Sequence, residues 1–191
     1  MALDRGIRLA GRGQIPAAHV PQWLEQRARV HAFVEERCWS EELGAYAGWA
    51  GGDGLDASLL RAVRMRYPER ERLERTVDAI RDRLGAGGPL LYRTSDHAGE
   101  EGAFVACSFW LAEALARLDR VDEAARLMEE LLPYANDVGL FSEQIDPGSG
   151  VFLGNFPQGL SHLALVNAAG AIEDARRARA DAPASADAAR A

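Results

Sequence analysis

Two kinds of helical pattern alternate along this chain, and that alternation limits the folds open to it more than any other feature. Pro21 to Glu36 carries Trp23, Leu24, Val30, Phe33 and Val34 on a shared face. Glu69 to Leu84 repeats this with Leu73, Val77, Ile80 and Leu84, and Val121 to Leu132 with Ala124, Leu127, Met128, Leu131 and Leu132. These segments are charged on their other face, which suits helices on the outside of an assembly. Between them, Leu55 to Arg64, Gly102 to Leu118 and Phe156 to Ile172 are apolar or small on most sides. A helix apolar all round belongs inside. The apolar helices start near positions 55, 102 and 156, a period of roughly 50 residues. An outer helix, a loop and an inner helix repeated at that spacing predict an all-α fold, either a solenoid or an α/α toroid of helical hairpins. The loops before the inner helices then fall on one end of the array, where a site would be built.

The rest of the composition narrows the function classes. The 191 residues suit one sizeable core, and 48% hydrophobic with 27% charged residues is an ordinary globular balance. All 22 basic residues are Arg, scattered among 29 acids for a net charge of -7, so no basic face is gathered for nucleic acid. Cys38 and Cys107 lie in apolar surroundings without metal-ligand spacing, and read as buried free thiols of a reducing, cytoplasmic compartment. His19, His31, His97 and His162 fit no common ligand pattern, so neither metal nor cofactor is expected. No apolar run approaches the roughly 20 residues that cross a bilayer, and the first ten residues lack the order of a signal peptide, so no membrane partner is expected. Residues 176–191, made almost wholly of Ala, Arg, Asp, Pro and Ser, read as a disordered tail.

Chemistry concentrates in Gly139-Leu140-Phe141-Ser142-Glu143-Gln144-Ile145-Asp146-Pro147 and in Gly154-Asn155-Phe156-Pro157-Gln158-Gly159-Leu160-Ser161-His162. They set the Glu143 carboxylate in a loop just before an apolar helix, the place for a general base. Glu101 opens the preceding inner helix, where an acid answers the helix dipole or reaches a substrate hydroxyl. Asp56 reads as a helix cap or a second substrate contact. Trp39, Trp49, Tyr46, Tyr92 and Phe141 sit in loops, where aromatic faces stack on a ligand or fill gaps. Trp49, beside Gly48 and Gly51-Gly52, and Phe141 are taken as substrate contacts. Asn155 and Gln158 satisfy the loop backbone or reach substrate. Arg93 and Asp96 are expected to pair. His162 reads as a hydrogen-bonded core residue; next to Ser161 on a helix it points about 100° away, so the two form no nucleophile–base pair.

Four segments in order resemble glycoside hydrolase family 15, the group of glucoamylases, glucodextranases and some bacterial trehalases. They are Gly54-Leu55-Asp56-Ala57-Ser58-Leu59-Leu60; Glu101-Gly102-Ala103-Phe104 through Cys107-Ser108-Phe109-Trp110; Asn136-Asp137-Val138-Gly139-Leu140-Phe141-Ser142-Glu143; and Gly154-Asn155-Phe156-Pro157-Gln158 through Ser161-His162-Leu163. The resemblance implies part of an (α/α)6 barrel that hydrolyses α-glucosidic bonds of an α-glucoside or α-glucan with inversion. It assigns the general base to Glu143 in the Ser142-Glu143 motif and sets the general acid in a segment upstream of residue 1. Residues 1–175 are then the C-terminal half of a catalytic domain, inactive alone and completed by an upstream polypeptide. Arg61, Arg64, Arg66 and Arg70 depart from the family, which is apolar after the position of Leu60. A helical-repeat interaction module without chemistry, or a non-functional remnant, is the alternative.

Overall fold

The computed structural model describes residues 1–181. The backbone packs as two compact units, Met1–Gly54 and a second beginning at Leu55. In the first, α1 (Ala2–Gly11) lies against α2 (Val20–Arg37), which has Pro21 in its first turn, where a missing N–H costs nothing. The pair closes at Gly6, where a Cβ would stand 3.2 Å from the Trp23 ring. A short hairpin follows, β1 (Trp39–Ser40) pairing antiparallel with β2 (Ala45–Tyr46). The Tyr46 hydroxyl donates to Glu35 at 2.6 Å, and the Trp39 ring meets Tyr46 edge-on at 5.3 Å. No residue of α2 is buried, and Leu24, Val30 and Phe33 of its apolar face are exposed.

The second unit opens with a 3-10 turn (Ala57–Leu60) running into α3 (Arg61–Arg64), so the inner helix expected from Leu55 is two short turns. They end at Arg66, whose φ of 56° is left-handed and stops helix propagation. The arginines here have identifiable partners. Arg61 lies 5.2 Å over the Trp110 ring, Arg64 stands 3.6 Å from the buried Glu113, and Arg70 donates to the Leu118 carbonyl at 3.0 Å and to Asp119 at 2.9 Å. Their stems cover apolar surface while the charged heads find acids and carbonyls.

α4 (Arg70–Arg83) and α6 (Val121–Leu131) bury one face each, Leu73, Val77 and Ile80 on the first and Val121, Ala124, Met128 and Leu131 on the second. They flank α5 (Val105–Arg117), and both match the expected outer helices to within two residues. An ion cluster joins α4 to the start of α6. Arg120 reaches Asp78 at 2.6 Å and Glu123 at 2.7 Å, and Arg81 reaches the same two acids at 3.1 and 3.0 Å. Hydrogen bonding from Arg120, with Arg81 behind it, holds the Glu123 carboxyl at a pKa of about 2.

α7 (Gly159–Asp181) packs mainly on α5 through Ser161, Ala164, Ala168, Ala171 and Ile172. Small side chains on this face let the backbones approach closely. Burial of α7 on all sides, expected from its composition, does not occur: Leu160, Leu163 and Val166 are exposed, the last two by 63% and 66%. The helix also runs on to Asp181, so the tail expected from residue 176 is helical over its first six residues. Residues 182–191 lie outside the described residues. Among the described residues, no helix is long and apolar enough to cross a membrane, and no group of three His, Cys, Asp or Glu could hold a metal.

Candidate active site

A three-stranded antiparallel sheet draws the loops of the second unit together where α5 begins. β3 (Ala103–Phe104) pairs with β4 (Gln144–Ile145), and β4 with β5 (Phe152–Leu153). The β4–β5 connection is closed by Asp146, whose carboxylate accepts from Ser149 N at 2.7 Å, Ser149 Oγ at 2.7 Å and Gly148 N at 3.1 Å. This Asx turn suits the Asp-Pro-Gly-Ser-Gly sequence. The Ser149 bonds hold the Asp146 carboxyl below the ordinary range.

Glu143 sits immediately before β4, pinned at both ends of its peptide unit. Its N–H donates to Asn155 O at 2.9 Å, and its carbonyl accepts from the N–H of Val105, the first residue of α5, at 3.1 Å. The half-buried side chain folds back onto Asn155. Oε2 accepts from the Asn155 main-chain N–H at 3.0 Å and from its Nδ2 at 2.8 Å. Gly154 makes this possible: its φ is +71°, and a Cβ there would lie 2.8 Å from Glu143 Oε2. Any other residue would be strained and would collide with the carboxylate. Among the described residues no donor reaches Oε1.

Behind Glu143 the loop is anchored into the core. Ser142 is fully buried, its Oγ donates to Gln144 O at 2.7 Å, and its carbonyl accepts from Ser161 Oγ of α7 at 2.8 Å. Phe141, expected to stack on substrate, is instead 2% exposed. It stands edge-on between Phe109 at 5.2 Å and His162 at 5.8 Å, so hydrophobic burial takes its faces away from any sugar. His162 is hydrogen-bonded as foreseen, but half-buried rather than enclosed in the core. Its Nδ1 lies 2.8 Å from the Gln158 carbonyl and its Nε2 accepts from the Phe141 N–H at 3.4 Å, a pattern that fits the neutral Nδ1–H tautomer.

The other expected contacts resolve differently. Glu101 does not open a helix, because β3 intervenes, and its carboxylate takes two bonds from Arg93 Nη2 at 2.9 and 3.1 Å. Arg93 thus pairs with Glu101 rather than with Asp96, whose carboxylate faces Ser95 Oγ at 3.4 Å. The neighbouring Gly102 is packed tightly on Gln144 and Ile145, which brings the Glu101 and Glu143 segments side by side. Asp56 caps its 3-10 turn, accepting from Ser58 N at 2.7 Å. Trp49 belongs to the first unit, is 47% exposed, and lies against Gly52. The clamp from Gly154 and the anchor from Ser161 were not legible beforehand, since a small residue in a loop and a serine in a helix carry no such signal.

Two cavities, of about 300 and 240 Å³, lie elsewhere. The larger is lined by Val63, Arg66, Ala116, Arg117 and Ala171, at the opposite end of α5 from Glu143. Neither cavity is lined by Glu143, whose side chain is half-buried.

The fold and the sequence each have relatives among known proteins. A wild-type glycosidase matches the fold with a TM-score of 0.71 at 21% identity, over 84% of this chain and 46% of that one. A glycosidase variant in complex with glucose matches at 0.72 and 20% identity, over 88% and 49%. The fold is a partial α/α toroid. By sequence the chain is related to the family 15 glycosyl hydrolases: residues 117–170, which contain Glu143 and Asn155, match the model for glycosyl hydrolases family 15. The trehalase of Mycobacterium tuberculosis is 42% identical over 175 residues, covering 88% of this chain and 25% of that protein. The trehalase of Thermoplasma volcanium is 34% identical over 180 residues, covering 92% and 27%. The chain spans about a quarter of the length of these curated relatives.

Proposed function

We propose that this chain carries the general-base half of an inverting α-glucosidase site of the trehalase type, with Glu143 as the base. The observation that carries the reading is the geometry of that half-buried carboxylate, with one oxygen held by Asn155 and, among the described residues, no donor on the other. Oε1 would accept a proton from a water molecule as the water attacks the anomeric carbon on the face opposite the leaving group. A carboxylic acid on the other face would protonate the departing glycosidic oxygen, the two groups standing roughly 6.5–9.5 Å apart to admit the water. Trehalose is the substrate that the trehalase relatives support. Glu101 with its Arg93 partner is the next polar group offered to sugar hydroxyls, from the segment just before β3. Asp56 contributes by ordering its turn.

The acid would come from a polypeptide that completes the barrel, so the chain alone hydrolyses nothing at a useful rate. The exposed apolar strip of Leu160, Leu163 and Val166 on α7 supports this, because a further helix of the same toroid is the occupant that such a face fits. Matches spanning less than half of the solved glycosidases point the same way. Two measurements test the reading. The purified chain should release no glucose from trehalose, maltose or starch; steady release would overturn the need for a partner. In the assembled enzyme, Glu143→Gln should lower kcat by orders of magnitude with little change in KM, and near-normal turnover would remove Glu143 from the mechanism.

A further inference from the structure

We infer that Asn155 is the positioning residue of this site, a clamp that selects which oxygen of Glu143 meets water; the inference rests on reading Glu143 as the base. Three hydrogen bonds close between the two residues. Glu143 N donates to Asn155 O at 2.9 Å, while Asn155 N and Nδ2 donate to the single oxygen Oε2 at 3.0 and 2.8 Å. A loop glutamate with this many rotatable bonds would otherwise present either oxygen in many directions. With Oε2 doubly held, rotation about the last side-chain bond is restricted and Oε1 points where the clamp leaves it. Gly154 is part of the same device, because its left-handed φ of +71° turns both Asn155 donors toward Oε2 and its bare Cα leaves room for the carboxylate. The residue type matters as much as the distances. Asparagine gives a neutral donor, so it holds the carboxylate without competing for the proton that a base must take. An aspartate in its place would set a second carboxylate against Oε2, and two such groups share one proton.

The clamp is tested first on the chain itself. Over an NMR pH titration, the main-chain and side-chain amide resonances of Asn155 should move together with the ionisation of Glu143. In Glu143→Gln that movement should vanish. Asn155 resonances indifferent to pH in the native chain would overturn the clamp. The second arm uses the chain assembled with the polypeptide completing its barrel, and trehalose as substrate. Asn155→Ala should lower kcat by about 10- to 100-fold with KM within about twofold, as expected for a misaimed group. Asn155→Asp should move the acidic limb of the pH–rate profile upward, which loss of loop structure alone would not do. If Glu143→Gln abolishes turnover while both Asn155 variants match wild type in kcat and profile, the clamp falls and the base stands. If the Asn155 amides follow Glu143 but Glu143→Gln is fully active, the clamp geometry stands and the assignment of the base falls with the catalytic role of Asn155.

Discussion

α5 and α7 look alike in sequence, both rich in Ala and Leu, yet they occupy opposite situations. Eleven of the thirteen residues of α5 are buried, including Phe109 at 0% exposure, because α3, α4, α6 and α7 all pack around it. Five of the twenty-three residues of α7 are buried, all on the side turned to its neighbours. Composition states what a helix can bury; the number of packed neighbours decides what it does bury. The site stands between these cases, because the Glu143 loop is tied to the first residue of the fully enclosed helix and, through Ser161, to the half-covered one.

Four substitutions or conditions probe the contrast, in decreasing order of effect. Phe109→Ala removes an enclosed ring and should destabilise the chain by about 3–5 kcal/mol, read from urea denaturation; a loss below about 1 kcal/mol would mean that α5 is not the closed centre described. Ala168→Leu forces a larger side chain into the α5–α7 contact and should cost about 1–3 kcal/mol, with a lowered denaturation midpoint. Acidification comes next. The Glu123 carboxyl is held at a pKa of about 2 in the folded chain against 4.5 ordinarily, so its contribution is present above pH 4.5 and fades as pH falls toward 2. Since Glu123 is 38% exposed and screened by solvent, that contribution should be below about 1 kcal/mol. The stability gap between wild type and Glu123→Gln should therefore narrow from pH 6 to pH 3, and a constant gap would discount the ion cluster. Leu163→Ser should change the stability of the chain alone by no more than about 0.5 kcal/mol, since its side chain already meets water. A larger loss would show that the α7 strip is covered in the chain by itself.

Much of the fold was legible because it follows from periodicity. The outer helices near residues 21–36, 69–84 and 121–132 appear within two residues of their expected limits, since a charged face and an apolar face at helical spacing leave few alternatives. The start of the second unit was less legible, because Arg66 in a left-handed conformation ends α3 after one turn. Within the site, the loop position of Glu143 could be read from its Gly- and Pro-rich surroundings. Phe141 could not be placed, since an aromatic two residues from a loop carboxylate is equally suited to a sugar and to a core. Burial against Phe109 and His162 decided it. Asn155 was open between backbone and sugar, and the fold assigned its amide to Glu143.

The sequence by itself determined the all-α class, the enclosed α5 with amphipathic α4 and α6 beside it, and the loop that carries Glu143, because local periodicity and turn chemistry act over a few residues. Only the tertiary structure decided that Glu101 is held by Arg93, that Phe141 is core, that α7 keeps an open apolar side, and that Gly154 and Asn155 cradle one oxygen of Glu143. Those outcomes depend on groups brought together from different loops and helices, and neither side chain of such a pair carries the other's position in its own neighbourhood.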